Sequence, residues 1–132
     1  IYIYIYMYIY IRETACVLWL GTCMCYSTFS FTKLNIVLGT ILKASHNKKA
    51  NIPAYILDID FGKTVGVKST SAQITNYHLD ELVGRQVVAV CNLPAKNVAG
   101  FISEVLVLGA INGSEISLLK ADTKLENGIE IG

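Results

Sequence analysis

The chain has 132 residues, 53% hydrophobic and 16% charged, with Lys+Arg 11 against Asp+Glu 10 and a formal net charge of +1. That length accommodates one domain with a sizeable core. The near-neutral balance excludes a global field that would draw in nucleic acid or membrane, so any anion-binding surface must be local.

Residues 1–11 are an Ile-Tyr dipeptide repeat broken once by Met7. Two-residue alternation suits a strand, but both positions are apolar or aromatic, which leaves no wet face. Such a run is an aggregation hazard when exposed. Alternating ATA and TAT codons of an AT dinucleotide repeat encode the same pattern, and the chain begins at Ile1 rather than Met. Residues 1–31 are therefore expected to be an extension, repeat-derived or from a misassigned gene start, ahead of a folded module spanning 32–132.

The stretch from Ala15 to Phe31 is apolar around Trp19. A membrane span needs about 20 residues with basic flanks. This stretch holds Gly21 and a Ser/Thr/Cys cluster, and only Arg12 flanks it. No membrane partner is expected unless residues 15–31 act as an anchor. Cys16, Cys23 and Cys25 lack histidine partners and zinc spacing, and Cys91 lies in an apolar run where a lone buried thiol is expected. No metal and no disulfide framework are expected, and a reduced, cytoplasmic setting fits.

From Lys33 onward the texture changes to short strands with turn punctuation. Leu34 to Ala44 is apolar on both faces and reads as a long barrel strand. Ala54 to Phe61 alternates, with Tyr55, Leu57, Ile59 and Phe61 on one face and Asp58 and Asp60 on the other. Val65 to Thr75 is a third strand, rich in Ser, Thr and Gln toward its end. Leu79, Leu82 and Val83 then take helical spacing after the capping candidates Thr75 and Asn76, and Gly84 closes a short helix of about two turns.

Gln86 to Leu93 and Glu104 to Ile111 are β-branched apolar runs, followed by Ser114 to Lys120. Asn112-Gly113 is a hairpin signal for a type I′ turn. With Ser114 the pair forms a glycosylation sequon, Asn112-Gly113-Ser114, which the hairpin explains without modification. Asn127-Gly128 marks a turn before the last four residues. Three strands, a short helix and at least two more strands match an all-β, five-stranded OB-fold barrel with its helix between strands three and four. The connections are too short for the crossover helices of a parallel sheet.

Motifs for phosphate loops, dinucleotide binding and zinc hydrolysis are absent. His46 and His78 have no neighbouring nucleophile, so no catalytic residue, no enzyme activity and no cofactor are expected. The polar stripe Ser69, Thr70, Ser71, Ala72 and Gln73 supplies hydroxyls and an amide without charge. Asn92, Lys96, Ser103 and Glu104 bracket the next strand and loop. Lys43, Lys48, Lys49, Lys68, Arg85 and Lys96 form a local basic set.

Several ordered motifs carry a resemblance. Leu34-Asn35-Ile36-Val37-Leu38-Gly39-Thr40-Ile41, Pro53-Ala54-Tyr55 and Asp58-Ile59-Asp60-Phe61-Gly62 resemble the opening of the CsaA family. So do Ser71-Ala72-Gln73-Ile74-Thr75, Glu81-Leu82-Val83-Gly84-Arg85-Gln86, Val98-Ala99-Gly100-Phe101 and Ser103-Glu104-Val105-Leu106-Val107-Leu108-Gly109. CsaA belongs to the wider tRNA-binding OB domain found at the end of methionyl-tRNA synthetases. The resemblance implies a homodimeric, non-catalytic OB fold that binds at the barrel face and adjoining loops. Its partners would be tRNA or other structured RNA, or, as the alternative, unfolded preproteins in protein export. Site residues carried over on this basis are Ser69, Ser71, Gln73, Asn92, Lys96, Ser103 and Glu104, with Lys68 and Arg85 from the basic set. Asn35 and Val37 stand where the family usually has Asp and Arg. Pro94-Ala95-Lys96-Asn97 replaces a Pro-Pro-Arg-Arg stretch, and Ile102 stands where Lys is common. These departures remove positive charge from the binding edge, and each lost phosphate contact flattens the salt dependence.

Overall fold

The computed structural model describes residues 34–98 and 100–132. The expectations for the Ile-Tyr repeat, for the apolar stretch and for Cys16, Cys23 and Cys25 fall outside them. In chain order the elements are β1 (Ile36–His46), β2 (Tyr55–Asp60), α1 (Gly62–Val65), β3 (Val67–Ala72), α2 (Leu79–Leu82) and β4 (Gln86–Val90). Then come β5 (Lys96–Val98), β6 (Phe101–Ser103), β7 (Leu106–Val107), β8 (Gly109–Asn112) and β9 (Glu115–Leu118). Five strands form one antiparallel sheet in the order β3-β2-β1-β4-β7, and β5-β6 and β8-β9 are separate hairpins. This is the expected all-β OB barrel, with α2 between its third and fourth strands.

The long first strand is shared between two neighbours. Ile36 to Thr40 pairs with Val90 to Gln86 of β4, whereas Thr40 to His46 pairs with Asp60 to Tyr55 of β2. The register shifts between Ile41 and Lys43, a bulge that bends the strand and lets it serve both partners. At the crossover, a Cβ on Gly39 would lie 2.5 Å from the Phe61 ring and 2.7 Å from Ile59. Glycine there leaves the space that Phe61, the largest fully buried side chain among the described residues, fills. Tyr55, Leu57, Ile59 and Phe61 all point into the core as their alternation predicts, joined by Leu38, Ile41, Ile74, Leu82 and Val87.

The chain's end extends the sheet. Leu38 and Ile36 exchange backbone bonds with Gly128, Ile129 and Ile131, and Val37 bridges Glu130. Gly128 has φ of +90°, and a Cβ on it would sit 2.7 Å from the Phe61 carbonyl oxygen. The Asn127 side chain accepts the Thr40 hydroxyl at 2.7 Å, while Gln86 holds the Leu125 backbone at both its N–H and C=O. The expected turn at Asn127-Gly128 is therefore a latch on β1.

Several local expectations are corrected. The third strand starts at Val67, because a helical turn, α1, occupies Gly62–Val65. The Asp60 carboxylate accepts the Gly62 N–H at 2.9 Å and helps to stop β2 there. Helix α2 is a single turn, and its cap is His78, whose N–H donates to the Glu81 carboxylate at 3.0 Å. Thr75 and Asn76 do not cap it; Asn76 instead donates its side-chain amide to the Ile116 carbonyl. The expected strand from Glu104 to Ile111 divides at Leu108: β7 pairs with β4, and β8 turns away to pair with β9. In that second hairpin Asn112 pairs with Glu115, so the loop is Gly113-Ser114, one residue later than expected. Gly113 has φ of +63° in the first central position, which every primed turn requires. Cys91 lies just past β4 as a free, partly exposed thiol rather than inside a strand.

Candidate nucleic-acid interface

The polar stripe of β3 does most of its hydrogen bonding within the protein. Asp58 and Ser69 are paired across β2 and β3, and the Ser69 hydroxyl donates to the Asp58 carboxylate at 2.6 Å. On the other edge of β3, residues 103–105 close the barrel. The Glu104 N–H donates to the Ser69 carbonyl at 2.9 Å, and the Ser69 N–H donates to the Glu104 carboxylate at 3.0 Å. The Thr70 hydroxyl donates to the Val105 carbonyl at 2.8 Å, and the Ser71 N–H donates to the Ser103 hydroxyl at 2.9 Å. Side chains thus take the place of much of a ladder along this seam. Thr70 and Ser103 are buried there with their hydroxyls satisfied, as burial requires.

Charge is placed along the same seam. The Lys68 ammonium lies 3.6 Å from the Glu104 carboxylate, both side chains more than a third exposed. An exposed pair of this kind contributes about 0–1 kcal/mol, so its value is in positioning. Burial pushes the Cys91 thiol from 9.0 up to about 11, and the nearby Lys68 charge pulls in the opposite direction.

The rim is built from the loop after β1 and the β5–β6 hairpin. Buried Asn47 organises the loop: its N–H donates to the Ala54 carbonyl, its Oδ1 accepts the Lys49 N–H at 3.2 Å, and its Nδ2 donates to the Ser71 hydroxyl at 3.2 Å. In the hairpin Lys96 pairs with Ser103 and Val98 with Phe101, and Gly100 turns at φ of +76°. A Cβ on Gly100 would meet the Lys49 stem at 3.3 Å. Lys49 is thereby linked to Lys96 through Asn47, Ser71 and Ser103. Exposed Ile52 and Ile102 lie on this same loop and hairpin. His46 stacks edge-on against Tyr55 at the loop's base, with ring centroids 5.1 Å apart.

The structure therefore brings Lys68, Ser69, Ser71, Ser103, Glu104 and Lys96 together along one seam. Gln73 follows β3 and is partly exposed, and Asn92 stands past β4, where its Oδ1 accepts the Asn35 N–H at 2.8 Å. Arg85 belongs to another cluster. Its guanidinium lies 4.7 Å from the Tyr77 ring centroid, and the Tyr77 hydroxyl accepts the Leu118 N–H at 3.1 Å. That cluster pins the β8–β9 hairpin to the barrel. Sequence reasoning missed Asn47 as an organiser of the loop and missed the β5–β6 hairpin. The signal for the hairpin was Val98 and Phe101 flanking a small residue and Gly100. Among the described residues no group of three His, Cys, Asp or Glu could hold a metal ion, and no helix is long and apolar enough to cross a membrane.

A five-stranded antiparallel barrel with one helix between its third and fourth strands is the oligonucleotide-binding (OB) architecture. The family model described as "Putative tRNA binding domain" matches residues 36–130, and the chain belongs to that family, in its CsaA-type form. The crystal structure of CsaA chaperone protein from Picrophilus torridus is 48% identical, with a TM-score of 0.76, and the match covers 80% of this chain and 97% of that one. Chaperone CsaA from Bacillus anthracis is 45% identical, with a TM-score of 0.75 and coverage of 80% and 96%. The methionine–tRNA ligase of Methanococcus vannielii is 30% identical over 101 residues, which are 76% of this chain and 15% of the ligase. The chain thus spans about 15% of the length of such curated relatives.

Proposed function

We propose that residues 32–132 form a non-catalytic module that binds tRNA or other structured RNA across the barrel face and its rim. The observation that carries this reading is the linkage of Lys49 to Lys96 through Asn47, Ser71 and Ser103, in a chain of the tRNA-binding domain family. Phosphate oxygens would be met by Lys48, Lys49 and Lys96. Gln73 and Asn92 would add hydrogen bonds from the ends of β3 and β4, and Lys68 and Arg85 would extend the positive surface. Ser69, Ser71, Ser103 and Glu104 serve that surface by holding the seam in register. The module is proposed to act in the cytoplasm as a homodimer. Anisotropy of labelled tRNA with the chain tests the reading: binding that weakens by orders of magnitude as salt rises supports it.

A second reading has a specific observation in its favour. Identity to the two CsaA chaperones is 45–48%, against 30% for the ligase named above, and Ile52 and Ile102 are both about half exposed on the rim elements. In this alternative the same rim holds unfolded preproteins, its polar groups meeting peptide backbone beside apolar side chains. Salt-insensitive binding of apolar peptides, with no tRNA binding, would select it.

A further inference from the structure

The chain contains two Asn-Gly pairs, Asn112-Gly113 and Asn127-Gly128, and the fold treats them in opposite ways. An Asn-Gly pair can rearrange without any enzyme. The backbone nitrogen after the asparagine gives its proton to hydroxide or a buffer base and attacks the side-chain Cγ. The Cγ–Nδ2 bond breaks, the departing nitrogen takes up a proton, and ammonia leaves. Water then opens the five-membered imide at either carbonyl, giving aspartate or isoaspartate. Amide and water become acid and ammonia, with no oxidation or reduction. Glycine favours the attack because it has no Cβ to crowd the nitrogen and its backbone rotates freely.

At Asn112 the attacking nitrogen is accessible and unengaged. Asn112 and Gly113 are both exposed. Beyond its own chain neighbours, no heavy atom lies within 4 Å of where a Gly113 Cβ would stand. The Gly113 N–H sits outside the ladder, in the two-residue loop, and donates to no described backbone group.

At Asn127 each requirement is blocked. The side-chain oxygen accepts from the Thr40 hydroxyl at 2.7 Å and faces the Gln86 amide at 3.5 Å, and the Nδ2 group faces the Asp60 carboxylate at 3.5 Å. The attacking nitrogen is also engaged, since the Gly128 N–H donates to the Leu38 carbonyl at 2.8 Å. Gly128 is packed so closely that a Cβ would lie 2.7 Å from the Phe61 oxygen. Ring closure here would require the C-terminal latch to leave β1.

We propose that Asn112 is a site of spontaneous hydrolytic deamidation in the folded protein, and that the latch protects Asn127 from the same reaction. The modification adds one carboxylate, taking the formal charge from +1 to 0. Its isoaspartyl form also lengthens the backbone by one carbon at the mouth of the β8–β9 hairpin.

The full chain is incubated at mildly alkaline pH, folded in one sample and in concentrated urea in another. Peptide mapping then resolves aspartate from isoaspartate at both positions. In the folded sample Asn112 converts and Asn127 lags about tenfold or more, because local opening must precede its reaction. In urea the two rates come together, and Gly113→Ala slows conversion at Asn112 alone. Equal rates at both sites in the folded sample would overturn the proposal. So would an Asn112 that stays an amide when folded yet converts in urea.

Discussion

The Ser103 hydroxyl accepts the Ser71 N–H at 2.9 Å, joining the end of β6 to the third strand of the barrel. Together with Thr70 to Val105 and Ser69 to Glu104, it closes the sheet with side chains where a ladder would otherwise run. Ser103→Ala removes the acceptor and leaves a partly buried amide unpaired. The expected loss is about 1–3 kcal/mol of stability, read as a lower urea midpoint with unchanged slope. Unchanged stability would show that water replaces the hydroxyl and that the seam is not a stabilising element.

Gly39 and Phe61 share one space. Gly39→Ala places a methyl group against the Phe61 ring and Ile59, and overpacking of this kind costs about 1–3 kcal/mol. Phe61→Leu in the Gly39→Ala background should recover part of that loss, because the smaller side chain vacates the contested volume. Simple additivity of the two substitutions in a double-mutant cycle would contradict the contact.

Cys91 should alkylate slowly. Burial raises its thiol from 9.0 to about 11, so the reactive thiolate is scarce at neutral pH. Since the folded-state value is the higher one, this group's stabilising contribution is full below pH 9.0 and disappears as pH rises toward about 11. Mass-mapped alkylation against pH should give a midpoint near the raised value in the folded chain and near the ordinary value in urea. Lys68→Met, which removes the opposing influence, should raise the folded midpoint further.

Tyr77 should ionise early. The Leu118 N–H bond is the main cause of its lowered value; slight burial opposes it, and Ser117 and the Arg85 charge assist. The folded form is then favoured above pH 10.0, and that contribution fades as pH falls through the lowered value. An ultraviolet titration of the wild-type chain minus Tyr77→Phe isolates the transition. Arg85→Ala should move it upward, and no movement would contradict the cation–ring contact at 4.7 Å.

Much of the fold was legible because its physics is local. The alternation of Tyr55, Leu57, Ile59 and Phe61 gave β2 its faces, and Gly84 and the Asn127-Gly128 pair marked real ends. Errors came where tertiary pairing overrode pattern. The run from Glu104 to Ile111 is continuous in hydrophobicity, yet its halves serve different partners, β4 and β9. The hydrogen-bonded seam was partly legible. Chemistry marked Ser69, Ser71, Ser103 and Glu104 as polar and special, but only the three-dimensional register shows that they bond to one another across more than 30 residues of chain. Arg85 stands over the Tyr77 ring, a contact that residue type alone does not announce.

The most direct measurement is the salt dependence of tRNA binding by the chain and by Lys96→Ala and Lys49→Ala, with folding checked by circular dichroism. If the rim reads phosphate, affinity falls steeply with salt in the parent chain, and each substitution flattens the logarithmic slope by nearly one unit. Failure of the folded chain to bind tRNA at low salt, or binding indifferent to salt and to both lysines, would contradict an RNA-binding rim and leave the peptide-holding alternative.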